Sequence, residues 1–154
     1  MAKFYSTETR SLGNVPQNPP GDAAYGGRKR TYRATISLDA PALSSSSAGA
    51  VITAADTVVL CTRPAGTRFI GGRITSSVSL ATSTIAIGTA ASPEKYRAAA
   101  VFTAVDTPTD FGKASAMAAA ETITDEEIIL TTAIASLPTT AGAKLVIDLE
   151  FAAP

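Results

Sequence analysis

The side chains of this sequence that could take part in chemistry are mainly carboxylates, in two groups. Asp125, Glu126 and Glu127 are consecutive, and carboxylate oxygens are ligands that calcium prefers. Asp148 and Glu150 alternate with apolar residues, so in a strand they share a face about 7 Å apart, a spacing compatible with a glycoside hydrolase pair. However, the first group lacks the alternating Asp/Asn ladder of an EF-hand loop, and outward acids on an amphipathic strand give the second pattern equally well. We therefore interpret both as surface carboxylates, the first in a turn before a strand.

The rest of the composition argues against catalysis. The 154 residues contain no histidine, which removes the commonest general base and every histidine metal ligand. Cys61 is the single cysteine, and its apolar surroundings in the sequence predict a small buried side chain. Gly71-Gly72-Arg73 lacks the lysine of a phosphate loop, and paired glycines within a strand predict a bulge or a close backbone approach. We expect no enzyme activity, no cofactor and no metal site.

The first 33 residues predict an extended arm. They contain Pro16, Pro19 and Pro20 and too few clustered apolar residues to repay the ~1–2 kcal/mol per residue that backbone ordering costs. Residues 1–33 carry six basic and two acidic side chains, whereas residues 121–154 carry one basic and six acidic ones. Such complementary ends favour association with a neighbour. The basic cluster beside Tyr32 also suggests nucleic-acid binding, but the charge excess is modest, so we regard nucleic acid as the weaker interpretation.

Residues 34–154 predict one all-β domain. Apolar and polar residues alternate in short segments separated by Pro and Gly turns, most clearly at 144–151, which favours an antiparallel β-sandwich or jelly-roll-like fold of about eight strands. Ser92-Pro93-Glu94 resembles a helix start, and alanine-rich residues 114–121 leave helix or strand open. The other predicted strands are residues 31–39, 56–63, 68–80, 82–87, 97–105 and 127–134.

Two segments carry a family resemblance. Residues 63–75 (RPAGTRFIGGRIT) and 82–89 (TSTIAIGT) resemble small structural proteins of tailed-phage virions, the decoration or cement proteins that combine a polar arm with a compact β domain. The resemblance implies a homotrimer or similar cluster on the capsid exterior, bound to the major capsid protein and synthesised in the host cytoplasm. It implies no catalytic residue.

In that setting, the arm supplies the predicted contact residues. Its apolar anchors are Phe4, Tyr5, Leu12 and Val15, and its basic residues Arg28, Lys29 and Arg30 meet acidic groups on the shell or on a neighbour's residues 121–127. The alternatives are another phage component (tail, fibre or head spike) and a carbohydrate- or ligand-binding β module. The sugar-binding alternative is the poorer one because tryptophan is absent and three of the four tyrosines lie in the arm. No apolar stretch approaches the ~20 residues needed to span a bilayer, so we expect no membrane partner.

Overall fold

The chain folds into two β-sheets, which we describe from a computed structural model. It describes residues 29–39 and 51–152, together with the backbone of residues 3–5 and 42–43. The strands of the described residues are β1 (Lys3–Tyr5), β2 (Lys29–Ser37), β3 (Ala42–Leu43), β4 (Thr57–Arg63), β5 (Arg68–Ser76), β6 (Thr84–Gly88), β7 (Arg97–Val101), β8 (Thr109–Phe111), β9 (Glu126–Ala133) and β10 (Lys144–Ala152). The same residues include a short helix, α1 (Ala114–Met117).

The six-stranded sheet has the order β3-β1-β4-β9-β6-β7, and the four-stranded sheet has the order β2-β10-β5-β8. Strand β1 runs parallel to β4, and the other pairings are antiparallel. The described residues contain no helix that is long and apolar enough to cross a membrane. The all-β prediction is confirmed, whereas the jelly-roll connectivity stays a prediction.

Side-chain alternation along β10 explains why the two sheets pack together. Leu145, Ile147, Leu149 and Phe151 are completely buried, and the residues between them face away from the core. Strand β10 lies in the middle of its sheet, paired with β2 and β5. Its buried residues form one cluster with apolar side chains of the other sheet, among them Leu60, Ile85 and Leu130. Each fully buried aliphatic side chain contributes about 1.5–3 kcal/mol relative to exposure, so this shared core stabilises the sandwich.

The structure modifies three details of the sequence prediction. Strand β2 begins at Lys29, so residues 29–33, which we assigned to the arm, belong to a strand paired with β10 along its whole length. The predicted helix start at Ser92 is wrong, because Ser92 and Thr89 exchange backbone hydrogen bonds in a tight turn after β6. Of residues 114–121, only Ala114–Met117 form a helix, a single turn.

The paired glycines of β5 show both features that the sequence predicts. The register of β5 against β10 shifts between Phe69 and Gly71, which leaves Ile70 as the extra residue of a bulge. Gly72 pairs with Phe111 of β8, and a Cβ atom at Gly72 would lie 2.4 Å from the Phe111 ring. The ring therefore occupies the space that any side chain at Gly72 would need.

These two glycines provide a matched pair of substitutions. We expect Gly72→Ala to lower the free energy of unfolding by about 1–3 kcal/mol, because the added methyl group overpacks against the Phe111 ring. Gly71→Ala is the control, since its Cβ would meet only the Phe111 carbonyl oxygen at 3.8 Å. Urea denaturation of both variants measures the difference, and equal stabilities would contradict the proposed packing role.

Candidate interaction surface

The outer face of the four-stranded sheet carries a transverse row of alternating charge. Arg33, Asp148, Arg73 and Asp110 are in register on β2, β10, β5 and β8. The Arg33 guanidinium donates to both carboxylate oxygens of Asp148 at 2.7 and 2.9 Å, and Arg73 Nε donates to Asp110 at 2.8 Å. This charge row gives the sheet a hydrated, internally paired surface, and exposed pairs of this kind contribute about 0–1 kcal/mol each.

The second carboxylate of β10 is also paired. Glu150 lies 2.7 Å from Lys29 Nζ of β2. Both residues line an open groove of about 480 Å³, together with Gly71, Gly72 and Met117. Asp148 and Glu150 therefore each have a basic partner on β2, as expected for a solvent-facing charged surface.

The outer face of the six-stranded sheet has a different character. Because Ile85 and Ile87 of β6 point into the core, Thr84 and Ala86 lie on the opposite face. Thr84 is in register with Val101 of β7 and Ala133 of β9, and Ala86 is in register with Thr131. These two rows, which we call the uncharged face, carry methyl and hydroxyl groups only. Ala86 is 5% exposed and the Thr131 hydroxyl is buried, so the accessible part of the uncharged face is the row of Thr84, Val101 and Ala133.

An exposed isoleucine adjoins the uncharged face. Ile134 follows β9 and is 76% exposed, and its φ of +72° is in the left-handed region. The Ala135 N–H donates to the Ala133 carbonyl at 2.9 Å, which closes a three-residue turn around Ile134. A β-branched residue in this conformation is strained, and its side chain gains no burial within the described part of the chain.

A buried polar cluster joins the two sheets at one end of the sandwich. Arg63, at the end of β4, is only 2% exposed and lies over the Phe151 ring at 5.6 Å from its centroid. Its Nη1 donates to the Tyr96 hydroxyl at 3.1 Å and to Glu126 at 3.4 Å, and its Nε donates to the Thr67 hydroxyl at 3.2 Å. The Arg63 charge is thus compensated by hydrogen bonds and by one carboxylate, as a buried charge requires.

Glu126 is the anion of this cluster. Lys95 Nζ and the Tyr96 hydroxyl both donate to its carboxylate, in addition to Arg63. Burial acts to raise the pKa of Glu126, but the hydrogen bonds from Lys95 and Tyr96 and the positive charges of Lys95 and Arg63 outweigh it. The pKa of Glu126 is therefore held below its ordinary value. Among the consecutive acids 125–127, Glu126 therefore has a structural role as the negative charge of this cluster. The described residues contain no cluster of side chains that could hold a metal ion.

The depressed pKa makes this contribution to stability depend on pH. When the pKa of a carboxyl group is lower in the folded protein than in the unfolded one, its ionised form stabilises the fold. This stabilisation is complete at pH values above the pKa of the unfolded state, about 4.3, and it is lost as the pH falls through the pKa of the folded state. We expect Glu126→Gln to lower the free energy of unfolding by about 2 kcal/mol at pH 7, since hydrogen bonds to charged groups are lost. The difference from wild type should shrink below about pH 4.

Urea denaturation at pH 7, 5 and 3.5 checks this prediction, with Glu121→Gln as the control. Glu121 lies on an exposed loop, so its substitution should change stability by less than about 0.5 kcal/mol throughout. A Glu126→Gln effect that did not vary with pH would contradict the charged role of Glu126.

Cys61 occupies the buried position that its sequence context predicts. It is a free thiol in β4, and burial raises its pKa to about 12. The reactive thiolate is therefore scarce at neutral pH.

We expect a thiol reagent at pH 8 to label Cys61 of the folded protein at least ~100-fold more slowly than that of the protein in guanidinium chloride. Absorbance of the released chromophore measures both rates. Rapid labelling of the folded protein would show that the thiol is accessible.

The predicted contact residues of the arm are only partly described. Leu12, Val15 and Arg28 lie outside the described residues. Phe4 and Tyr5 belong to β1, whose backbone pairs with β4 and β3, while Lys29 and Arg30 belong to β2. Lys29 contacts Glu150 of its own chain. The one tyrosine beyond the arm, Tyr96, is completely buried, so it offers no ring to a sugar.

The comparisons with known proteins give a likeness in structure. No protein-family model matches the chain, and no curated protein matches it in sequence. A chain of the capsid of Ralstonia phage GP4 superposes with a TM-score of 0.67 at 15% identity, and the match covers 99% of both chains. The chain shares its fold with phage capsid components.

Two further capsid structures extend this likeness. A chain of the cyanophage Pam1 capsid asymmetric unit matches with a TM-score of 0.63 at 17% identity, covering 92% of this chain and 96% of that one. A chain of the acid-stable capsid of Helicobacter pylori bacteriophage KHP30 matches with a TM-score of 0.55 at 11% identity, covering 86% and 93%. Because all three identities are low, the shared property is the fold.

Proposed function

We propose that this chain is a non-enzymatic virion structural protein that decorates and cements a phage capsid. The observation that carries the proposal is the end-to-end likeness of fold to a chain of the GP4 capsid, which leaves neither chain with an unmatched domain. In this proposal the protein is made in the host cytoplasm and binds the major capsid protein on the outside of the shell. It also contacts copies of itself, as a homotrimer or a similar cluster.

The two sheets suit such a location because their outer faces differ. The charge row of the four-stranded sheet is hydrated and internally paired, which suits a surface that faces solvent. On the six-stranded sheet, the accessible row of Thr84, Val101 and Ala133, with the exposed Ile134 beside it, suits contact with protein. Cementing requires buried area that is distributed over several partners, and this row together with Ile134 would supply a part of that area.

The segment between β1 and β2 supplies the second part of the proposal. Strand β1 lies in the six-stranded sheet and β2 in the four-stranded one, so residues 6–28 connect two strands that the sandwich itself holds. When fully extended, a segment of this length spans roughly 75 Å from end to end. Because the sandwich holds both of its ends, it can project outward by only about half of that length, which still allows contact with a neighbouring subunit. When several copies are clustered, binding of one segment raises the effective concentration of the others at the shell. Each segment can therefore bind the shell weakly while the whole cluster binds it tightly.

Replacing residues 6–28 with a Gly/Ser linker of the same length tests the role of this segment. We expect binding to shells stripped of this protein to weaken at least ~10-fold, because the apolar anchors Leu12 and Val15 and the basic Arg28 are removed. The melting temperature should remain within a few degrees of wild type, since β1 and β2 are retained. Co-sedimentation with shells of the same virus's major capsid protein measures the binding.

A double variant, Leu12→Ser with Val15→Ser, separates the apolar anchors from the basic residues. Unchanged affinity in the linker variant would overturn the role of the segment. If the wild-type protein itself does not bind shells but sediments with isolated tails, the chain is a tail or fibre component and the cement proposal is wrong.

A further inference from the structure

We infer that β7 is a self-association edge, at which two copies of this chain pair their β7 strands antiparallel across a two-fold axis. The contact would join the six-stranded sheets of two copies into one continuous sheet. This inference concerns association of the chain with itself, and it does not rest on shell binding.

The first observation is that β7 is an edge with an exposed, uncharged surface. It is the terminal strand of the six-stranded sheet, and among the strands that the structure describes it pairs only with β6. Ala98, Ala99, Ala100 and Val101 are all exposed, and Val101 is 51% exposed. An edge strand has unpaired backbone groups along one side, which form a template for another strand.

The second observation is that the other sheet edges of the sandwich are better protected than β7 against pairing with a strand of another molecule. Strand β2 carries Lys29, Arg30 and Arg33, and β8 is three residues long and carries the charged Asp110. The fourth edge, β3, is only two residues long. Charged side chains and short length are the usual means by which sheet edges resist pairing, and Ala98–Val101 has neither a charge nor a proline.

The single charged residue of β7 acts within its own sheet. The Arg97 guanidinium donates to the Ile85 carbonyl of β6 and to the carbonyls of Ala98 and Ala100, at 3.4 and 3.3 Å for the last two. These contacts span the register shift between Ile85 and Ile87, where two alanines of β7 face Ala86. Arg97 thus holds the bulge together and is not directed across the open edge. The bulge itself protects the first part of β7, so the inferred pairing centres on Ala99–Val101.

The small side chains of β7 suit a contact between identical strands. In an antiparallel two-fold pair centred on Ala100, each Val101 lies opposite Ala99 of the other copy, where the side chain is a methyl group. A pairing of so few residues buries less area than a stable complex needs, so the association is weak and reversible. A two-fold contact cannot close a three-fold ring, so in a trimeric protein it would join two trimers.

Sedimentation equilibrium of the full chain from about 10 μM to 1 mM tests this inference. We expect the mass of the smallest species to double reversibly with concentration. Val101→Lys should weaken that doubling at least ~10-fold, because the two-fold axis brings two like charges to the same edge. Ile134→Lys is the matched control, since it adds the same charge to an exposed isoleucine two strands away from the edge, and it should leave the association unchanged.

Ala99→Lys provides a second edge variant if Val101→Lys fails to fold, as judged by circular dichroism. A wild-type protein that shows no doubling overturns the inference. So does an edge variant that associates as wild type does, or an Ile134→Lys variant that is equally impaired, because the contact would then lie elsewhere.

Discussion

The structure depends on one constraint, which is that two sheets must bury their inner faces against each other. Strand β10 shows the constraint most clearly, since every second residue from Leu145 to Phe151 is completely buried while Asp148 and Glu150 face outward. Because the inner faces of both sheets are buried in the core, only the outer faces, the sheet edges and the loops can contact other molecules. The function of such a protein is therefore determined by what those outer surfaces carry.

The two outer surfaces carry different chemistry. One has a row of paired charges across four strands, and the other has a row of methyl and hydroxyl groups with an exposed isoleucine beside it and the exposed Glu127 further along β9. Paired charges keep their hydration and add little affinity, whereas apolar groups gain free energy when water is excluded. This asymmetry is compatible with the proposed attachment to a larger surface, and the fold is one that is also found in phage capsids.

The sequence predicted the strands in which apolar and polar residues alternate at every second position. Strands β2 and β10 alternate strongly between apolar and polar residues, so their positions and buried faces could be derived directly. Strand β7 was placed at 97–105 but its exposure could not be foreseen, because a run of alanines has no polar and apolar faces. Ser92 was misread because its backbone pairs with Thr89, and a local motif does not encode that contact.

The buried cluster of Arg63 and Glu126 illustrates what sequence alone could not supply. Arg63, Tyr96 and Glu126 come from three segments that meet only after the sheets have formed. An arginine two residues after the apolar run Val58–Cys61 is a weak signal of a buried charge, and it did not identify the carboxylate partner. The arm was predicted from composition and stays a prediction, because residues 6–28 lie outside the described residues; the structure shows only that residues 29–33 belong to β2.

The account as a whole is tested most directly by a cryo-electron microscopy reconstruction of the virion that carries this protein. We predict density for the sandwich on the outer surface of the capsid, with the charge row toward solvent and the uncharged face toward a protein neighbour. Density confined to the tail, or a sandwich with its charge row buried against the shell, would contradict the account.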